Sequence, residues 1–219
     1  MAELTQVLRS EIIRCEIPPG SVVVENELVQ KYDTTKARVR TALRTLAHEG
    51  FLEAIPRMGH FVTMPTQREV DEIFELRGLL EGWAAREAAG RIAAGEIAEL
   101  RALDVSVSSQ DPESFNRSLR ANRTFHLRIA EIAGNCLMTE LLGNLLDRVH
   151  RMLHMGLIAA AHGGDMVDDH LCLIDALEAH DARTAERVSR RQIKQARSMI
   201  ERAVDAYRRD AKLAMPRRR

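Results

Sequence analysis

The chain lacks most of what would mark a secreted, membrane-bound or catalytic protein. It holds only three cysteines, Cys15, Cys136 and Cys172, with no C-x-x-C pair among them. That excludes a disulfide framework and a thiolate zinc centre, and points to buried thiols in a reducing compartment. The longest run without a formal charge, Met152 to Gly164, contains histidine and glycine and is too short to cross a bilayer. Glu3, Arg9 and Glu11 interrupt the first residues, so no signal peptide is expected and a cytoplasmic location follows. Net charge is missing too. The 32 basic and 32 acidic side chains cancel, so affinity for an anionic polymer has to come from local placement of charge. Nor does any positioned Ser, Cys or carboxylate pair accompany the histidines, so an enzyme is not expected.

What is present begins between Thr34 and Val62, TTKARVRTALRTLAHEGFLEAIPRMGHFV. Lys36, Arg38, Arg40 and Arg44 fall within three helical turns with no acid among them, while Val39, Leu43 and Leu46 keep an apolar seam. One face of such a helix packs and the other meets phosphate. Upstream, Leu4, Val7, Leu8 and Ile12 recur at helical spacing, and IPPG (17–20) stops that helix near Cys15. Val22 to Val24 suits a short strand, Glu25 or Asn26 is expected to cap a second helix, and Thr34 or Thr35 a third. Gly50 is expected at the C-terminus of that third helix. Residues 51–55 and 60–63 then read as the strands of a wing around the turn at PRMG.

After a brief linker at Pro65 and Thr66 the pattern changes to long amphipathic helices, expected at 70–94, 95–108, 112–133, 136–161, 168–179 and 181–208, with the MPRRR end as a frayed tail. The fold class that follows is mainly α. A winged helix-turn-helix over residues 1–66 precedes an all-helical bundle over 67–219.

Four ordered motifs, IPPG, ENELVQKY, TTKARVRTALRTLAHEGFL and RMGHFV, together with EIFELRGLLEGWAAREAA from Glu72, NRTFHLRIAEIAGN from Asn122 and DDHLCLIDALEAHDARTA from Asp168, cover nearly the whole chain. In these the chain resembles the GntR-type transcription regulators of the FadR branch, whose C-terminal effector domain is of the FCD type. The resemblance implies a dimeric, ligand-responsive regulator, usually a repressor. Its partners would be a palindromic operator in double-stranded DNA, a second copy of itself and a small-molecule effector.

On the DNA side it implies that Thr35, Lys36, Arg38, Arg40 and Arg44 meet the duplex, and that Gly59, flanked by Arg57 and His60, brings the wing to the minor groove. Arg40 is assigned base reading, because a guanidinium grips guanine O6 and N7 together, about 1 to 3 kcal/mol of discrimination per pair. Lys36 and Thr35 suit phosphate. Many relatives carry threonine and proline where this chain has Ala37 and Arg38, and an arginine where it has Asn26, so a different operator sequence is expected.

On the effector side, metal-binding relatives place an aspartate and three histidines at positions that here are Asn122, His126, His170 and Gln192. Only His126 and His170 remain strong ligands, with Asn122 as a weak third. A zinc, nickel or manganese ion at this degenerate site is therefore the lesser expectation. The preferred use of the same residues is direct binding of an organic effector, with Arg77 and Arg148 available to pair with a carboxylate. His150 and His154 read as packing or surface histidines. Two other classes are weighed: a helical metallo-enzyme, and a helical ligand-binding or dimerisation module with weakened DNA binding, which the absence of a specific footprint would favour.

Overall fold

The computed structural model describes residues 2–56, 59–103, 112–159 and 167–214, with side chains from 3–56, 59–103, 113–156 and 170–209. Arg57 and Met58 of the wing turn, residues 104–108 of the expected fifth helix and the 215–219 tail lie outside these.

The N-terminal unit runs α1 (Ala2–Ile13), β1 (Val22–Val23), α2 (Glu25–Lys31), α3 (Lys36–His48), β2 (Leu52–Ile55) and β3 (Gly59–Val62). The strands form one antiparallel sheet in the order β1-β3-β2, with Val22 opposite Phe61 and Leu52 opposite Val62. α3 exists because Thr35 accepts the Arg38 N–H at its start and Val39, Ala42, Leu43 and Leu46 all turn inward. They pack with Leu8, Ile12, Phe51, Leu52 and Val62 into one core. The expectation that Glu25 or Asn26 caps α2 is corrected: Val24 stands at the N-cap, with no side-chain hydrogen bond, and Glu25 opens the helix. The sheet explains this, because the β1 strand runs directly into the helix and leaves no residue free to fold back.

The C-terminal unit is all helical: α4 (Gln67–Ala89), α5 (Ala94–Ala102), α6 (Pro112–Ala133), α7 (Cys136–Ala159), α8 (Val167–Glu178) and α9 (Ala182–Ala214). α4 begins three residues before its expected start because Thr66 accepts the Glu69 N–H at 3.0 Å. It also ends earlier, at Ala89, with Gly90 as its C-cap. Arg91 then donates to the Ala133 carbonyl at 2.9 Å and fixes the turn. Glu96 accepts the Ala93 N–H at 3.0 Å and opens α5. α4 packs along α9 and α6, and α7 along α9. Phe125, Leu142, Leu146, Leu173, Leu177 and a run of alanines on α4 fill the main core. A second cluster of Val70, Ile73, Val149, Met152, Ile200 and Val204 sits toward the winged unit.

Gly50 matters most at the junction. At φ +80° it turns the chain off α3 so that the Phe51 N–H reaches the Leu46 carbonyl at 2.9 Å. The space a Cβ would occupy there is filled by the Arg148 guanidinium of α7. Gly50→Ala is expected to cost more than the roughly 1 to 2 kcal/mol of a left-handed alanine. In an Arg148→Ala background only the backbone part should remain. Urea unfolding of the four proteins of this cycle measures the difference.

Candidate nucleic-acid interface and buried polar cluster

On the outer face of α3, Thr35, Lys36, Arg38, Arg40 and Arg44 are all exposed. They share one surface because the helix must bury the Val39–Leu43–Leu46 stripe, which turns the intervening positions outward. Arg40 is oriented. Its Nε donates to both oxygens of Glu25 at 3.1 and 2.9 Å. Gly59 opens β3 at φ +114°, and a Cβ there would come within 2.7 Å of the Val23 carbonyl. Contact with β1 thus already requires glycine at this position. His60 is half-buried beside it.

Inside the helical unit lies a cluster of polar side chains that core packing alone does not call for. Arg77, Glu81, Ser118, Asn122, His126, His150, His154, His170, Ser189 and Gln192 are all buried. Arg77 donates through Nε to Glu81 at 2.6 Å, one turn along α4. The other Glu81 oxygen lies 2.7 Å from His126 Nδ1 on α6. Burial pushes the Glu81 carboxyl up, but the Arg77 charge and the His126 imidazole outweigh it and hold the group at about 2. His126 and His170 face each other with ring centroids 5.5 Å apart, and Phe125 stacks edge-on against both. The Oδ1 of Asn122 and the Nε2 of His150 are buried without a hydrogen-bond partner. Burial, and then the Arg123 charge, lower His150 to about 3; burial and the Arg14 charge lower His154 to about 4. Both are neutral, buried histidines, so of packing and surface the structure selects packing; His154 sits edge-on to Phe115 at 5.5 Å.

The structure therefore brings Arg77, Asn122, His126, His170 and Gln192 into the buried set and places Arg148 elsewhere. Arg148 Nη1 donates to Glu69 at 2.8 Å and its Nη2 to the Glu49 carbonyl at 2.6 Å, at the junction with the winged unit. Its guanidinium is occupied there by the Glu69 carboxylate of the chain itself, so a carboxylate ligand for it is not expected. Glu81 is the residue that sequence reading missed. Its signal was available, since an acid four residues after Arg77 on one helix face reads as an ion pair.

The donor set fits a tightly held divalent ion poorly. Glu81 already occupies one nitrogen of His126, and Asn122 and Gln192 offer neutral amides where carboxylate and imidazole would bind strongly. Among the described residues no three His, Cys, Asp or Glu side chains gather to hold a metal.

A family model described as "Bacterial regulatory proteins, gntR family" matches residues 2–62, and one described as "FCD domain" matches residues 72–195. The chain is 24% identical to the HTH-type transcriptional repressor RspR of Escherichia coli, over 84% of this chain and 82% of that protein. It is 30% identical to the "Probable D-xylose utilization operon transcriptional repressor" of Paenarthrobacter nicotinovorans, over 80% and 77%. Among solved structures, E. coli McbR/YncC superposes with a TM-score of 0.77 at 22% identity, covering 92% of this chain and 96% of that one, and so shares the fold.

Two outcomes follow from the cluster's electrostatics. Arg77→Ala leaves a buried carboxylate without its guanidinium and should cost about 3 to 5 kcal/mol, whereas Arg77→Met with Glu81→Leu should recover most of that loss, read from urea midpoints. His150 and His154 have folded-state values below the ordinary 6.5, so the unfolded chain takes up the protons as pH falls. Their contribution to stability is complete above pH 6.5 and is lost as pH drops from there toward 3. Each histidine adds up to about 1.4 kcal/mol per pH unit to that slope. His150→Gln should flatten the urea midpoint against pH between 6.5 and 4.

Proposed function

The chain belongs to the gntR family of bacterial regulatory proteins and carries an FCD domain; from that premise we propose that it is a homodimeric repressor that a small metabolite releases from a palindromic operator. It is a DNA-binding transcription regulator, not an enzyme, which disposes of the metallo-enzyme alternative. Residues 1–66 read DNA and residues 67–219 hold the ligand and the second copy. No helix among the described residues is long and apolar enough to cross a membrane, in keeping with action on DNA in the cytoplasm.

The observation that carries the DNA reading is the exposed row of Lys36, Arg38, Arg40 and Arg44, on a helix that contains no acid and whose other face is fully buried. Arg40, oriented by Glu25, reads a guanine; Thr35, Lys36, Arg38 and Arg44 fix register on phosphates. Arg57 and Gly59 bring the wing to the minor groove. Two such units on a two-fold dimer would read two half-sites.

The observation that carries the effector reading is the buried polar cluster, with the Asn122 Oδ1 and the His150 Nε2 left without partners in a core that has apolar alternatives. Asn122, His126, His170 and Gln192 would surround the ligand with amide and imidazole groups. A carboxylate ligand would share Arg77 with Glu81, meeting N–H groups of the guanidinium other than the Nε that Glu81 holds. Whatever factor the ligand imposes on operator affinity, DNA imposes on the ligand in return.

Selection of bound fragments from genomic DNA, followed by gel shift with and without small acids and divalent metals, tests this reading. A palindromic site released by one ligand is the expected result. Enrichment of no sequence would instead support a ligand-binding or dimerisation module. On the enriched site, Arg40→Ala should lose about 1 to 3 kcal/mol, mainly at one base pair, while Lys36→Ala should weaken all sequences alike and lower the salt slope by about one. His170→Ala should leave operator affinity intact and alter the ligand response.

A further inference from the structure

Helix α7 serves both units. His150 and His154 put it in the buried polar cluster, while Arg148 and Arg151, three residues apart, turn to the winged unit. The Arg148 guanidinium fills the space over Gly50, donates to the Glu49 carbonyl at the end of α3, and is itself held by Glu69 in the first turn of α4.

Arg151 is buried, and its guanidinium donates to both the hydroxyl and the carbonyl of Thr63, the residue that follows β3. It also lies 5.9 Å from the centre of the Phe51 ring, where the hairpin begins. Thr63 closes the loop by donating to the Gly50 and Phe51 carbonyls. Two guanidiniums thus grip the end of the DNA-reading helix, the start of the hairpin and the end of the hairpin. These contacts meet at one corner of the winged unit, where Thr63 joins the two ends of the hairpin, and they anchor that corner to α7.

Stability does not explain this arrangement. Arg151 makes no ion pair among the described residues, its Nε has no hydrogen-bond partner, and burial lowers its pKa. A buried cation of this kind costs desolvation that an apolar residue would avoid.

We propose that Arg148 and Arg151 are positioning residues: they set the angle at which each winged unit stands on its helical unit, and so the half-site spacing that the dimer accepts. The proposal rests on the dimer and operator reading above. It makes α7 the element through which a change in the polar cluster reaches the DNA-reading helix.

The test uses the full chain and the operator recovered by fragment selection. It is compared with synthetic duplexes in which the half-sites are moved apart or together by about one and two base pairs, and with a single half-site. Wild type should bind the native spacing best. The Arg148→Ala, Arg151→Ala double variant should bind the single half-site within a few-fold of wild type, while its preference for native spacing falls by about tenfold or more, within the usual range of coupling between sites. Arg148→Met and Thr63→Val each leave one grip in place and should lose part of the preference, which keeps the test open if the double variant does not fold.

Retention of the full spacing preference by these variants would overturn the proposal. So would loss of single half-site binding in step with it, because that would make the arginines merely structural. A wild-type protein that selects no DNA would defeat the functional reading itself, a result distinct from either.

Discussion

A carboxylate that is 4% exposed cannot stay ionised in a protein core unless something holds its charge, and in this protein the Arg77–Glu81 pair organises the interior of the helical unit around that requirement. One Glu81 oxygen accepts from Arg77 of its own helix and the other lies 2.7 Å from His126 Nδ1 of α6. α4 and α6 are therefore registered against each other by charge as well as by the alanine and phenylalanine packing beside it. Asn122, His150, His170 and Gln192 are buried in the same helical unit, His170 with its ring 5.5 Å from that of His126. Replacing the pair with apolar residues would suit a protein whose core only had to be stable. Keeping it, with neighbouring acceptors left partnerless, suits a core that must also admit something.

The winged unit was legible in the sequence almost to the residue, because its determinants are local. Thr35 caps the helix it precedes, the Val39–Leu43–Leu46 seam marks the buried face, and Gly50 marks the stop. Where local reading failed, a neighbour intervened. Val24 took the cap position because β1 leads straight into α2. α4 closed early at Gly90, short of the expected 94.

The candidate sites divide in the same way. Asn122 and His126, four apart on one helix, were visible as a face, and so was the Arg77–Glu81 spacing that went unremarked. Arg148 was not interpretable from sequence. Its partners, Glu69 and the Glu49 carbonyl, are far from it in the chain, and nothing about an arginine on an amphipathic helix says whether it faces a ligand or another domain. Arg151 was invisible for the same reason, its partners being the hydroxyl and the carbonyl of Thr63, far away in the chain.

The pairing of α4 with α9 has a consequence for the order in which the protein comes into being. The first helix of the C-terminal unit packs mainly on the last, with all of α5 to α8 between them in the chain. Closing so long a loop is slow compared with forming the winged unit, whose α1, α3 and hairpin are near neighbours in sequence. During synthesis the DNA-reading unit therefore emerges and folds while the bundle beneath it is still open. For that interval it stands without α7 beneath it, so a chain still on the ribosome has its duplex-binding chemistry before it has the rigid base that gives that chemistry a direction.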